Sequence, residues 1–250
     1  MTHALTEQTA DLPTADGAMN SFIVHPAQAG PFPVVLFYMD APGWREELRD
    51  MARRLAAAGY LVVLPNLYYR RARAYELRER SEARLAEMYA HMDSLDARTS
   101  EVDTAALLAW VDACPQADAS RVGALGYCMS GPFVMWAAVA FPDRLGCIAS
   151  IHGARLVTDA PDSPHRIVGG IRCESYFACA QIDKWASPAD IGALQSALQV
   201  AGTPHQIEWF PGVEHGFVFP GRAGIYNEAA AERHWQRLFD LFGRTLPAAA

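Results

Sequence analysis

Lysine is almost missing from this chain. Lys184 is the only one, so arginine supplies nearly all of the 21 basic residues. Acidic residues number 28, and the formal net charge is −7. That balance argues against a nucleic-acid-binding surface. No apolar run approaches the ~20 residues of a membrane span, so no membrane partner is expected. The opening residues Met1-Thr2-His3-Ala4-Leu5-Thr6-Glu7 lack the basic and apolar regions of a secretory signal. The five cysteines form no C-x-x-C pair, and the eight histidines no His-x-x-x-His pattern. Neither a metal nor a cofactor is therefore expected, and a reduced, cytoplasmic setting fits. Internal repeats, low-complexity tracts and linkers are also absent. The expectation is one domain over residues 1–250, with 1–15 as a flexible N-terminal segment, acting as a monomer or homodimer.

What is present is apolar sequence in short blocks. Hydrophobic residues make up 51% of the chain, enough for a sizeable core. Strands are predicted at 18–24, 33–38, 61–64, 122–125, 145–151, 175–180 and 206–210. Continuous runs such as Val34-Val35-Leu36-Phe37 suit strands buried on both faces. Helices are predicted at 45–58, 75–93, 99–114, 187–200 and 227–246. Thr99 or Ser100 is the expected cap of the third of these, and Gly202 the stop of the fourth. Strands alternating with helices indicate an α/β fold, a mostly parallel sheet with helices on both faces. Sites in such sheets form beyond the carboxyl ends of the strands.

One motif carries chemistry. Gly126-Tyr127-Cys128-Met129-Ser130-Gly131 follows an apolar strand and precedes a helix-like stretch. This is the spacing of a nucleophile elbow, with Cys128 at the apex and small residues on either side. Buried packing is the ordinary fate of a free cysteine. The strand-turn-helix frame reverses that expectation for Cys128 alone. The order nucleophile, acid, histidine is completed by Asp183 and His215, each after a predicted strand. Gly212 and Gly216 flank His215 and free its loop to aim the imidazole. Backbone N–H groups of Met129 and Ala41 are the expected oxyanion donors.

These residues, with Asn66-Leu67-Tyr68 after Pro65, resemble the dienelactone hydrolase family of α/β-hydrolases. The resemblance implies a single-domain α/β-hydrolase fold and a Cys128-His215-Asp183 triad. It implies hydrolysis of a small ester or lactone through a thioester acyl-enzyme. It matches Asp40 to a family glutamate that contacts the resting thiol and helps generate the thiolate. An arginine for the substrate carboxylate is implied where this chain has Phe219, and an aromatic tyrosine where it has His152. His152, Phe219 and Tyr89 are accordingly expected at the pocket. A broad carboxylesterase or thioesterase for neutral acyl groups is the alternative on the same scaffold. A non-catalytic binding or thiol redox-sensing protein is the more remote one.

Overall fold

The computed structural model describes residues 4–246. Strands β1 (Leu5–Thr14), β2 (Gly17–Pro26), β3 (Phe32–Tyr38), β4 (Leu61–Pro65), β5 (Ala117–Tyr127), β6 (Leu145–Ile151), β7 (Glu174–Ile182) and β8 (His205–Glu214) form one sheet. Its order is β1-β2-β4-β3-β5-β6-β7-β8. Helices are α1 (Glu46–Ala57), α2 (Glu82–Met92), α3 (Ala97–Ala113), α4 (Gly131–Ala140), α5 (Pro164–Ile167), α6 (Pro188–Ala201) and α7 (Glu228–Thr245). By its internal contacts the chain divides into two compact units, the break falling after Val122.

In the first unit, β3 and β4 pair in parallel, and every residue of both is buried. The antiparallel β1–β2 ribbon joins this pair through β2 and β4. Residues 5–14 therefore form a strand, not a flexible segment. Each pairs across a tight turn with a residue of β2, which satisfies the backbone of a largely exposed strand. Helix α1 buries Leu48, Met51, Ala52, Leu55 and Ala56 on one stripe. A helix of this length is marginal alone. Burying its three large side chains contributes about 2 kcal/mol each, well above the tenths that propensity supplies.

The helix expected at 75–93 begins only at Glu82. The residues before it are used otherwise. The Tyr75 carbonyl accepts from Trp44 N at 3.1 Å, Leu77 N donates to the Pro42 carbonyl at 2.8 Å, and Glu76 bridges Gly43. Strand-like pairing with the β3–α1 loop has displaced helix there. The cap of α3 is Asp96 rather than Thr99 or Ser100. Its carboxylate accepts from Thr99 N at 2.8 Å, and Thr99 Oγ1 accepts from Asp96 N at 2.8 Å.

In the second unit, β6, β7 and β8 run parallel. Helix α4 is apolar on nearly every side and almost wholly buried. Ser187 caps α6, and Gly202 ends it in the left-handed region.

Replacing Asp96 by Ala removes the side-chain half of the α3 cap, the carboxylate that accepts from Thr99 N, and leaves the backbone bond to Thr99 Oγ1. It is expected to cost about 1 kcal/mol and to lower Tm by roughly 2–4 °C, read by thermal or urea denaturation.

Candidate active site

Four strands each end one residue before a group of interest. Cys128 follows β5, His152 follows β6, Asp183 follows β7 and His215 follows β8. The first of these sits in a left-handed turn, with φ +55 at Cys128, and a 3₁₀ turn over Cys128–Ser130 leads into α4. The small neighbours are required by space. A Cβ on Gly126 would lie 2.2 Å from the Ser130 carbonyl oxygen. One on Gly131 would lie 2.6 Å from the Gly153 Cα. The turn is tied down by Ala154 N, which donates to the Cys128 carbonyl at 2.8 Å.

Asp183 and His215 are brought together by sheet register. A β-bulge between Ala180 and Ile182 sets Ile182 opposite Glu214. His215 N then donates to the Ile182 carbonyl at 3.2 Å. Across this junction His215 Nδ1 donates to Asp183 Oδ2 at 2.7 Å. The other oxygen of Asp183 accepts from Trp185 N at 2.8 Å, so the carboxylate is fixed at both ends. Asp183 is 2% exposed and the His215 side chain 11%. With Nδ1 committed as donor, Nε2 is the nitrogen that exchanges protons. It is buried without a hydrogen bond of ordinary geometry. Cys128 is the neighbour that acts on the ring most strongly. Burial opposes the imidazolium, but the charge of Cys128 and its sulfur, with the Asp183 carboxylate, outweigh it and raise the His215 pKa to about 9.

His152 is 1% exposed. Its ring centroid is 4.7 Å from that of His215, at 62°. Phe217, Phe219 and Tyr127 surround it at 5.8, 5.5 and 5.9 Å. Burial and the nearby His215, Arg222 and His234 push its pKa well down, so it is neutral. Phe219 is wholly buried, with the Arg222 guanidinium 5.0 Å from its ring. Arg222 Nη1 also donates to the His215 carbonyl at 3.4 Å. Met129, directly after the elbow cysteine, is buried.

Asp40 and Ala41 belong to the β3–α1 loop of the first unit. Asp40 is fully buried and pairs with Arg45 through both carboxylate oxygens, one of them at 3.2 Å from Nη2. Arg45 is held in turn by Glu47, at 3.0 Å from Nε and 2.7 Å from Nη2. The Ala41 carbonyl accepts from Tyr68 Oη at 3.0 Å. Tyr89 lies half-buried on α2.

Two positions escaped sequence reasoning. His234 accepts a hydrogen bond from Tyr127 Oη at 3.0 Å, while its Nδ1 donates to the Ala231 carbonyl at 2.6 Å. The signal existed: His234 shares the buried stripe Ala231, Trp235, Leu238 of α7 at helical spacing. Arg45 gave none, because its partner Asp40 is met only once the loop closes.

A strand-turn-helix cysteine beside a histidine–aspartate pair, on this sheet order, defines a hydrolase of the α/β class. A family model described as "Dienelactone hydrolase family" matches residues 19–246, and the chain belongs to that family. A curated relative from Synechocystis sp., "Putative carboxymethylenebutenolidase", is 26% identical, covering 97% of this chain and 98% of its own. One from Escherichia coli K12 with the same name is 26% identical, covering 96% and 87%. Among solved structures, a dienelactone hydrolase from Anabaena variabilis matches with TM-score 0.70 and 17% identity, over 98% of this chain and all of that one. The dienelactone hydrolase-like promiscuous phosphotriesterase P91, from metagenomic libraries, matches with TM-score 0.79 and 22% identity, over 97% and 99%. These structural likenesses establish the fold.

The His215 imidazole is expected to titrate near pH 9 by NMR, and lower in Cys128→Ala, where its largest supporting charge is gone. The folded value is above the unfolded one of 6.5. The pair therefore adds stability that is complete below about 6.5 and lost as pH rises through about 9. A titration near 6.5 in the wild type would show that no such pair forms.

Proposed function

We propose that this protein hydrolyses a small ester or lactone through a Cys128-His215-Asp183 triad. The observation that carries this reading is the 2.7 Å His215–Asp183 bond, with the elbow cysteine as the group that raises the imidazole pKa. The Cys128 thiolate attacks the carbonyl carbon, and the oxygen takes the electron pair. The backbone N–H groups of Met129 and Ala41 are the proposed donors to that oxyanion. Collapse expels the alkoxide, which takes the proton from His215 Nε2 and leaves a thioester on Cys128. For a lactone the released hydroxyl stays attached to the acyl group. His215, now neutral, takes a proton from water as the water attacks the thioester. Collapse of the second tetrahedral species releases the acid and restores the thiolate–imidazolium pair. Asp183 holds the tautomer and steadies the imidazolium.

The names of the curated relatives support a lactone as substrate. One observation favours a second reading. Phe219 is wholly buried and apolar where an arginine for a substrate carboxylate was expected, which suits neutral acyl groups and a broader carboxylesterase or thioesterase. We further propose that the enzyme needs no cofactor and acts in the cytoplasm as a monomer or homodimer, without nucleic-acid or membrane partners. Among the described residues, no helix is long and apolar enough to cross a membrane.

The test compares hydrolysis of a dienelactone carboxylate with that of a neutral p-nitrophenyl ester. Cys128→Ala is expected to lower kcat/KM by about 10⁴-fold or more on whichever substrate is used, and Asp183→Asn by less. Full activity in Cys128→Ala would overturn the triad. A Cys128-dependent preference for the neutral ester would select the second reading.

A further inference from the structure

His152 combines three costly features. It is a non-glycine residue with φ +39, a region that bulky side chains rarely adopt. Its imidazole is buried, and neither ring nitrogen has a hydrogen-bond partner. Its neutral charge state is enforced by burial and by surrounding cations. The strain is held in place deliberately: His152 N donates to the Ala178 carbonyl at 2.7 Å, which ties the turn to β7.

The surroundings of the ring say what this arrangement accomplishes. On one side it meets His215 edge-on at 4.7 Å. On another it meets Tyr127, the residue that carries Cys128 on its carboxyl side, at 5.9 Å. Tyr127 is itself anchored by His234, and the remaining walls are Phe217 and Phe219. One buried ring thus separates the base from the strand end that bears the elbow. Asp183 fixes His215 through Nδ1 but leaves the ring able to swing about that bond; contact from a second direction removes that freedom. A flat ring lies edge-on against the imidazole, which a branched aliphatic side chain cannot reproduce. A charged ring would be repelled by the imidazolium.

We propose that His152 is a positioning residue, a neutral wedge whose contacts with His215 and Tyr127 set the approach of His215 Nε2 to the Cys128 thiol. This replaces the pocket-lining role expected from the sequence. The proposal rests on His215 being the base that serves Cys128.

The test uses His152→Ala, His152→Leu and His152→Phe in the full chain, with two readouts. One is p-nitrophenyl acetate hydrolysis, separated into kcat and KM. The other is the pH dependence of Cys128 alkylation by iodoacetamide, which needs no knowledge of the natural substrate. His152→Ala is expected to lower kcat by about 10²-fold, as for a misplacement of about 1 Å, with KM within about twofold. The alkylation midpoint should rise, since a displaced imidazolium supports the thiolate less, and the alkaline limit of hydrolysis should fall below about pH 9, since a displaced thiolate supports the imidazolium less. The groups that set the His215 titration are Cys128 and Asp183, with His152 packed against the ring; Arg222 and His234 act on His152 itself. His152→Phe restores a ring and should recover most of kcat and both pH values, whereas His152→Leu should not. If His152→Ala does not fold, the Leu and Phe variants carry the comparison. A lower Tm with unchanged kcat and alkylation profile would overturn the proposal. So would a His152→Phe variant as impaired as His152→Leu, because the ring nitrogens and not the packing would then matter. Loss of activity in His215→Asn together with normal His152 variants would overturn only this inference; full activity in His215→Asn would overturn the triad beneath it.

Discussion

The left-handed backbone at Cys128 is the constraint on which the rest of the site depends. At φ +55 the cysteine stands clear of both the strand that ends before it and the helix that follows. Such a turn is stable only if its flanks come very close together. Gly126 must pass the Ser130 carbonyl, and Gly131 must pass Gly153. Those contacts recruit the β6 turn into the elbow, and the Ala154–Cys128 hydrogen bond closes it. The conformation of Cys128 is therefore a property of two strand ends and one helix start together. A largely buried, apolar α4 follows, because a helix this close to the sheet has little surface left for water.

Once the elbow is set, register does the remaining assembly. The groups after β6, β7 and β8 meet because their strands are parallel and end at one level. A one-residue slip in any of them would turn the side chain at its end to the opposite face. The bulge at Ala180–Ile182 is where β7 and β8 adjust, and it lies immediately before the Asp183–His215 bond. Electrostatics then act on a fixed geometry. Burial alone would strip His215 of its proton, as it does for His152 a few ångströms away. The two imidazoles share the same desolvation but not the same partners. His215 has a thiol and a carboxylate, while His152 has aromatic rings and cations beyond them. Of the two rings only His215 has partners that favour its protonated form.

This division explains what was legible in the chain. The elbow spacing, the order of Cys128, Asp183 and His215, and the buried parallel strands are all local patterns, and each reappears in the structure. The run from Tyr75 to Ser81 looked helical because Arg, Glu and Leu favour helix, but pairing with residues 42–44 overrode propensity. Strand β1 has an exposed, weakly apolar sequence, so only its partner β2 reveals it. His152 gave no local sign of its role. Its proposed role lies in which rings it touches, and those come from two other strand ends, β5 and β8.

The loop after β3 shows the same principle with a different consequence. Activation of a thiol by a carboxylate that shifts on substrate binding needs a carboxylate loosely held at rest. Asp40 is fully buried, meets the Arg45 guanidinium through both oxygens, and Arg45 is clamped again by Glu47 and by the Gly43 carbonyl. Pulling one partner out of a buried pair costs about 3–5 kcal/mol. A small ester, the proposed substrate, has little binding energy to set against that. Asp40 is thus better suited to fixing the backbone of its own loop, including the Ala41 peptide, than to moving. In the proposed mechanism generation of the thiolate then falls to His215, whose pKa, raised to about 9 by Cys128 and Asp183, favours the imidazolium at neutral pH. An imidazolium that must hold a thiolate without a mobile carboxylate has to be accurately aimed, which is the condition a buried, neutral wedge against its ring supplies.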